Sequence, residues 1–260
     1  METGKAVKSD IRNYSYRKLL LILILAVLPI LCVSGQLSYN KRIYNAFING
    51  RMDLWEHNMI QMEEEYLKER NIQDLYDLTY TIYGYIAYCI VTGDKNKARY
   101  YLDKARKYVN ILLKYHSSQA EIYSLEGAMY GFEIGLNPVK ALDYGIKSIK
   151  SLNKAVDLDK NNARVLMELG NMKYYTPKIL GGGLKKAIYY HEKSVSMFES
   201  GEEDLKGNWL YLLVLTNLGR WYSEDQRLSK AREIYKKILD IEPDYIWVKE
   251  YLYPDLADLR

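Results

Sequence analysis

Three histidines, two cysteines and one run of three glycines are the residues of this 260-residue chain with types suited to chemistry, and their spacing decides what each can do. His191-Glu192 would open the zinc-protease pattern H-E-x-x-H, which sets two imidazoles on one helix face, but residue 195 is Val. The second ligand is missing. His57 and His116 fall on polar helix faces with no Cys or carboxylate at ligand spacing. Gly181-Gly182-Gly183 offers backbone amides ahead of a helix, a cradle for an anion. A P-loop requires G-x4-G-K-[ST], whereas Leu184-Lys185-Lys186 follow Gly183, so the expectation is a structural loop and helix start. There is no G-x-S-x-G, and Ser, Cys and His form no nucleophile arrangement. These absences lead to an expectation of no catalytic residue, no cofactor and no metal.

The elements that carry these residues begin with a leader. Residues 19–33 are apolar apart from the thiol of Cys32, and Arg17-Lys18 precede them directly. Fifteen residues suit the apolar region of a signal peptide and fall short of the roughly 20 of an ordinary spanning helix. Residues 1–35 therefore read as a signal peptide cleaved after Gly35 or as an uncleaved N-terminal anchor. Either way the cations stay in the cytoplasm and the rest is exported. The leader also holds five cations against two anions, leaving 32 against 31 in the rest of a chain whose net charge is +4. A balanced body argues against nucleic acid as a partner. Cys89 is then alone after the leader and reads as a small buried hydrophobe.

After residue 36 the apolar residues follow helical spacing, as in Leu54, Trp55, Met59, Met62 and Tyr66, with Glu63-Glu64-Glu65 as the solvated face. Breaks fall at Asn49-Gly50, Gly93-Asp94, Ser117-Ser118, Asn137-Pro138, Asn161-Asn162, Gly181 to Gly183, Gly201 and Glu242-Pro243. The helices repeat: Gly84, Gly127 and Gly170 stand 43 residues apart, as do Ala98 and Ala141, and Ala120 and Ala163. A Gly inside a helix costs about 1 kcal/mol against Ala, so its recurrence predicts close approach of the paired helix. Leu215-x2-Leu218-Gly219-x2-Tyr222, Ala231-x3-Tyr235 and Pro243 follow the pattern W-x2-L-G-x2-Y, A-x3-F and P, departing by Leu for Trp and Tyr for Phe. On these residues the chain resembles tetratricopeptide repeat proteins. The resemblance implies an all-α, antiparallel helix-pair solenoid behind the N-terminal membrane segment. It divides into N-terminal helices over 36–70, about four helix pairs over 71–245 and a capping segment over 246–260. Four residues beyond Ala187, His191 takes a large packing slot of that repeat. The loop Tyr174 to Gly183 also resembles exported bacterial tetratricopeptide proteins, among them the T-component of periplasmic TRAP-type transport systems.

That resemblance places binding on the concave side, lined by the first helix of each pair. The free side of those helices presents Tyr85 and Tyr88, then Glu121, Ser124 and Phe132, then Arg164, Met167, Asn171, Tyr174 and Tyr175, then Thr216 and Arg220. Tyrosine is the compositional extreme, 27 residues against 3 Phe, and suits half-buried seams and binding surfaces alike. The expected function is a non-enzymatic scaffold outside the cytoplasm, periplasmic or anchored in the inner membrane through residues 19–33, that docks a protein or peptide. The alternative is a periplasmic transport accessory or small-molecule or lipid carrier. Whether the helices of 36–70 fill the groove stays open.

Overall fold

In a computed structural model the described residues are 39–201 and 205–258, the side chains being described as far as 256. Contacts divide the chain into Met1–Lys41 and Arg42–Arg260, and the helix array belongs to the second unit. The leader and its 19–33 segment lie outside the described residues, among which no helix is long and apolar enough to cross a membrane.

The described residues are helical, without a strand. Helix α1 covers residues 39–48. It is followed by α2 (Met52–Glu69), α3 (Ile72–Thr92), α4 (Lys95–Tyr115), α5 (Ala120–Leu136), α6 (Ala141–Leu158), α7 (Ala163–Tyr175), α8 (Leu184–Ser200), α9 (Trp209–Glu224), α10 (Leu228–Ile241) and α11 (Tyr253–Asp258). Helices α3/α4, α5/α6, α7/α8 and α9/α10 form antiparallel pairs, and α3, α5 and α7 also pack on one another. Their starts are written locally. Asn71, Asp94, Asn162 and Asn208 each accept a backbone N–H of the first turn, satisfying donors that a helix cannot satisfy itself. The π-turn Val248–Leu252 and α11 close the array against α10.

The recurrent glycines do mark close approaches. A Cβ on Gly127 would come within 2.8 Å of Leu152 on α6, and Gly170 and Gly219 are pressed by His191 on α8 and Tyr235 on α10. Gly84 departs from this pattern: its neighbours are Trp55 of α2 at 2.9 Å and Trp209 of α9 at 3.0 Å, not the paired α4. The difference arises because α2 lies on α3 and brings an indole to the place that a paired helix takes elsewhere.

A ring cluster fixes α1 and α2 to both ends of the array. Phe47 packs on Trp55, Trp209 and Tyr245, and Trp55 meets Trp209 edge-on with centroids 4.9 Å apart. Tyr44 Oη adds a hydrogen bond to Glu242 at 2.9 Å.

Tyr and Glu supply the polar seams. Glu56 accepts hydrogen bonds from Tyr85 at 2.7 Å, Tyr101 at 2.8 Å and Lys97 at 2.9 Å. One heptad on, Glu63 accepts from Tyr108 and Lys104. Glu63 is thus a seam residue of α2, a correction to its reading as part of a solvated face. Burial alone would raise the Glu56 carboxyl, but its three donors outweigh that and hold it below its ordinary value. The pattern recurs as Tyr211–Glu199–Lys237 and Tyr222–Glu192.

Candidate functional site

Of the twelve residues expected on the concave side, eleven fall into three groups and Tyr88 stands apart. Tyr85, Ser124, Met167 and Thr216 are buried, at 3%, 0%, 1% and 0% exposure, and offer nothing to a partner in the folded chain. This corrects their placement on a free face. Tyr85 is turned toward Glu56 and the edge of Tyr101, and Thr216 bonds back to the Leu212 carbonyl beneath Tyr245. Tyr88, beside Tyr85, remains exposed near the end of α3.

Glu121, Phe132, Arg164 and Asn171 form internal contacts between first helices. Arg164 donates to Glu121 at 2.9 Å and lies over the Tyr80 ring at 5.4 Å. Asn171 donates to Tyr83 Oη at 3.3 Å, and Phe132 packs on the same ring at 5.4 Å. At the centre of this cluster is Glu168, 5% exposed, whose Oε1 has no hydrogen-bond partner among the described residues. Burial pushes its carboxyl up to about 7, against the opposing effect of hydrogen bonds from Tyr83 and Asn171. These residues are therefore engaged between the first helices α3, α5 and α7.

Tyr174, Tyr175 and Arg220 make the third group, carried by α7 and α9. Tyr174 stacks on Trp221 with centroids 4.8 Å apart and planes 16° apart, and its Oη donates to Glu224 at 2.8 Å. Burial, then the bond to Glu224, raises the Tyr174 phenol to about 12. Tyr175 meets Tyr174 edge-on at 5.0 Å and is 78% exposed. Arg220, one turn before Glu224 on α9, lies 5.5 Å from the Trp247 ring. Beside it opens a cleft of about 340 Å³ lined by Arg220, Ser223, Glu224, Gln226, Tyr235 and Asp255, among others. Trp221, Glu224 and Trp247 were not singled out from sequence as partner residues. The i, i+4 spacing of Arg220 and Glu224 was the available signal; the cross-helix stack was not.

Other candidates resolve as structural. His191 is wholly buried, with its ring 4.2 Å from Trp221 and neither nitrogen hydrogen-bonded among the described residues. Burial lowers its imidazole to about 3, so it is neutral. In the glycine loop, Gly181 and Gly183 have φ of 83° and 113°, and a Cβ on Gly182 would strike the Thr176 carbonyl. The Gly183 amide is used by the Lys173 carbonyl at 2.7 Å. Cys89 is buried and its thiol is pushed up to about 11, chiefly by desolvation. No group of three or more His, Cys, Asp and Glu that could hold a metal occurs among the described residues.

No protein-family model matches the chain, and no curated protein matches it. Solved structures do. A thermophilic TPR protein of Thermus thermophilus superposes with a TM-score of 0.53 at 15% identity, covering 80% of this chain and 92% of its own. The fold is of the tetratricopeptide type. A second tetratricopeptide-type neighbour, the HusA haemophore of Porphyromonas gingivalis, has a TM-score of 0.55 at 19% identity, over 70% of this chain and 92% of its own. At these identities the likeness concerns the fold. In the tetratricopeptide frame, the Tyr174–Trp221 stack joins the first helices of the last two pairs, α7 and α9.

Proposed function

We propose that this chain is a non-enzymatic scaffold that docks a protein partner on the exposed aromatic and arginine surface formed by Tyr174, Tyr175, Arg220 and Trp247. The observation that supports it is Tyr174, held flat on Trp221 and bonded to Glu224 while next to the open cleft of Arg220. Tyr, Trp and Arg are the residues that dominate binding energy in protein interfaces. A ring already stacked and bonded loses little rotamer entropy on docking. Each pair here is also seated on rigid helices rather than on a loose loop.

The interface then lies across the first helices of the last two pairs, α7 and α9, where Tyr175 and Arg220 are exposed. Its setting outside the cytoplasm rests on the charge and apolar pattern of residues 1–35. The carrier alternative retains the haemophore name of one structural neighbour and the sequence resemblance of the 174–183 loop. Its apolar chamber is not what the described residues offer. Two of their clefts, of about 340 and 440 Å³, are open and carry Arg, Glu, Lys and Asp.

The experiment is crosslinking of the full chain in its native envelope fraction, followed by recovery of the crosslinked protein. Arg220→Ala and Tyr175→Ala should each remove the crosslinked partner with helicity unchanged. Recovery undiminished in both variants refutes the surface. Arg164→Ala is unsuitable as a probe, since it breaks the Glu121 and Tyr80 contacts inside the fold.

A further inference from the structure

Helix α6 buries Ser148, Leu152 and Ala155 on one side and turns a different set of apolar residues outward. Leu142, Ile146 and Ile149 are 80%, 62% and 49% exposed, and Val139, just before the helix, is 94% exposed. Their spacing is that of a heptad: Val139, Ile146 and the exposed Asn153 at one core position, Leu142 and Ile149 at the other. Within α6 itself, Leu142, Ile146 and Ile149 with Asn153 give an exposed stripe at heptad spacing, and Val139 extends it from the preceding turn. Beside it is Gly145. A Cβ there would meet nothing within 4 Å, unlike Gly127, Gly170 and Gly219, each pressed by a neighbour. Gly131 on α5 shares that openness, so Gly145 adds only that no side chain bars close approach at this face.

We propose that this face is a homodimer interface, in which α6 packs antiparallel on α6 of a second copy across a twofold axis. A twofold contact must be self-complementary, and the charges flanking this seam are so in one register. When Ile146 lies opposite the partner's Ile149, Asp143 comes alongside the partner's Lys150, and symmetry makes the pair twice. A shift by one heptad, two core layers, toward the start of α6 sets Asp143 against the partner's Asp143. The opposite shift sets Lys150 against the partner's Lys150. Like charges at those places select against both slips. Asp143 already holds Lys147 of its own helix at 2.8 Å, and a carboxylate has capacity for a second cation. The pairing leaves the Tyr174 and Arg220 surface, on other helices, to a different partner.

The test is sedimentation velocity of the full chain at roughly 1 to 100 μM, the range in which a modest interface dissociates. A dimer is expected whose dissociation constant rises at least about 100-fold in Ile146→Glu, with circular dichroism unchanged. Asp143→Lys and Lys150→Asp should each weaken it roughly tenfold, and the double variant should return it to within about threefold of the parent. A monomer throughout the range, a dimer indifferent to Ile146→Glu, or a double variant no better than its single parents would overturn the proposal. So would a monomeric chain whose Ile146 face binds another protein or anionic phospholipid vesicles. Because the reversal is read at α6, association through residues 19–33 would not imitate it.

Discussion

Gly170 of α7 faces the ring of His191 on α8 so closely that the place of a Cβ on residue 170 is already taken by Nδ1. The helix gives up about 1 kcal/mol of propensity at that glycine, and a fully buried ring takes the space. Gly170→Ala is accordingly expected to destabilise the chain by about 1–3 kcal/mol despite Ala being the better helix former. Gly131→Ala, where a Cβ meets nothing within 4 Å, should instead stabilise it by up to about 1 kcal/mol. Urea denaturation of the two variants checks the contrast, and equal signs would show that the close approach is not what holds Gly170.

The same imidazole sets a pH dependence together with Glu168. Burial holds Glu168 near 7 against an ordinary 4.5, so the folded state favours its proton. That stability is full below about 4.5 and is lost as pH rises to about 7, on the order of 3 kcal/mol in all. His191, held near 3 against 6.5, has the opposite sign: its contribution is full above about 6.5 and is lost as pH falls toward 3. Between 4.5 and 6.5 the two slopes oppose each other. Glu168→Gln should unmask the histidine, giving a denaturation midpoint that falls steadily from pH 6.5 to 4.5. A profile as flat as the parent's would show that Glu168 does not titrate in this window.

Trp209 begins α9 yet packs on Trp55 of α2 and Phe47 of α1, across Gly84 of α3. Trp209→Ala should cost about 3–5 kcal/mol and release the N-terminal helices before the helix pairs melt. Limited proteolysis at the Asn49–Arg51 turn should become faster in this variant while the far-UV signal stays near the parent's.

Hydroxyl donors and lysine can be ranked at Glu56. Tyr101→Phe leaves a half-buried carboxylate one donor short and should cost about 1–2 kcal/mol. Lys97 is 41% exposed, so Lys97→Ala should cost less than about 1 kcal/mol and should matter less still at high salt. Thermal denaturation of the pair at two salt concentrations decides the order.

The all-helical character, the breaks at Gly93-Asp94 and Asn161-Asn162, and the glycines facing helix neighbours could be read from sequence because each is a local effect. Helical period, capping side chains and the absence of a Cβ act within a few residues of chain. The boundary at 70/71 falls where α2 gives way to α3, but its means, Arg70 ending α2 at φ 56°, is a conformation that the residue type does not announce. The burial of Tyr85 escaped for a different reason. Register against Gly84 placed it on the first helix correctly, but whether that side stays free depends on α2, which supplies Glu56 from 29 residues away.

The candidate site divides in the same way. Residue type singled out Tyr174, Tyr175 and Arg220, since large rings and guanidinium on the first helices are visible in any register. What removed Ser124, Met167 and Thr216 from the surface was packing against other helices, for Thr216 beneath Tyr245. Sequence by itself determined the elements and the 43-residue period, because hydrogen bonding and apolar spacing within a helix are nearest-neighbour matters. Only the tertiary structure decided which face remains open, because burial of a side chain is a sum over helices that the chain brings together from far apart.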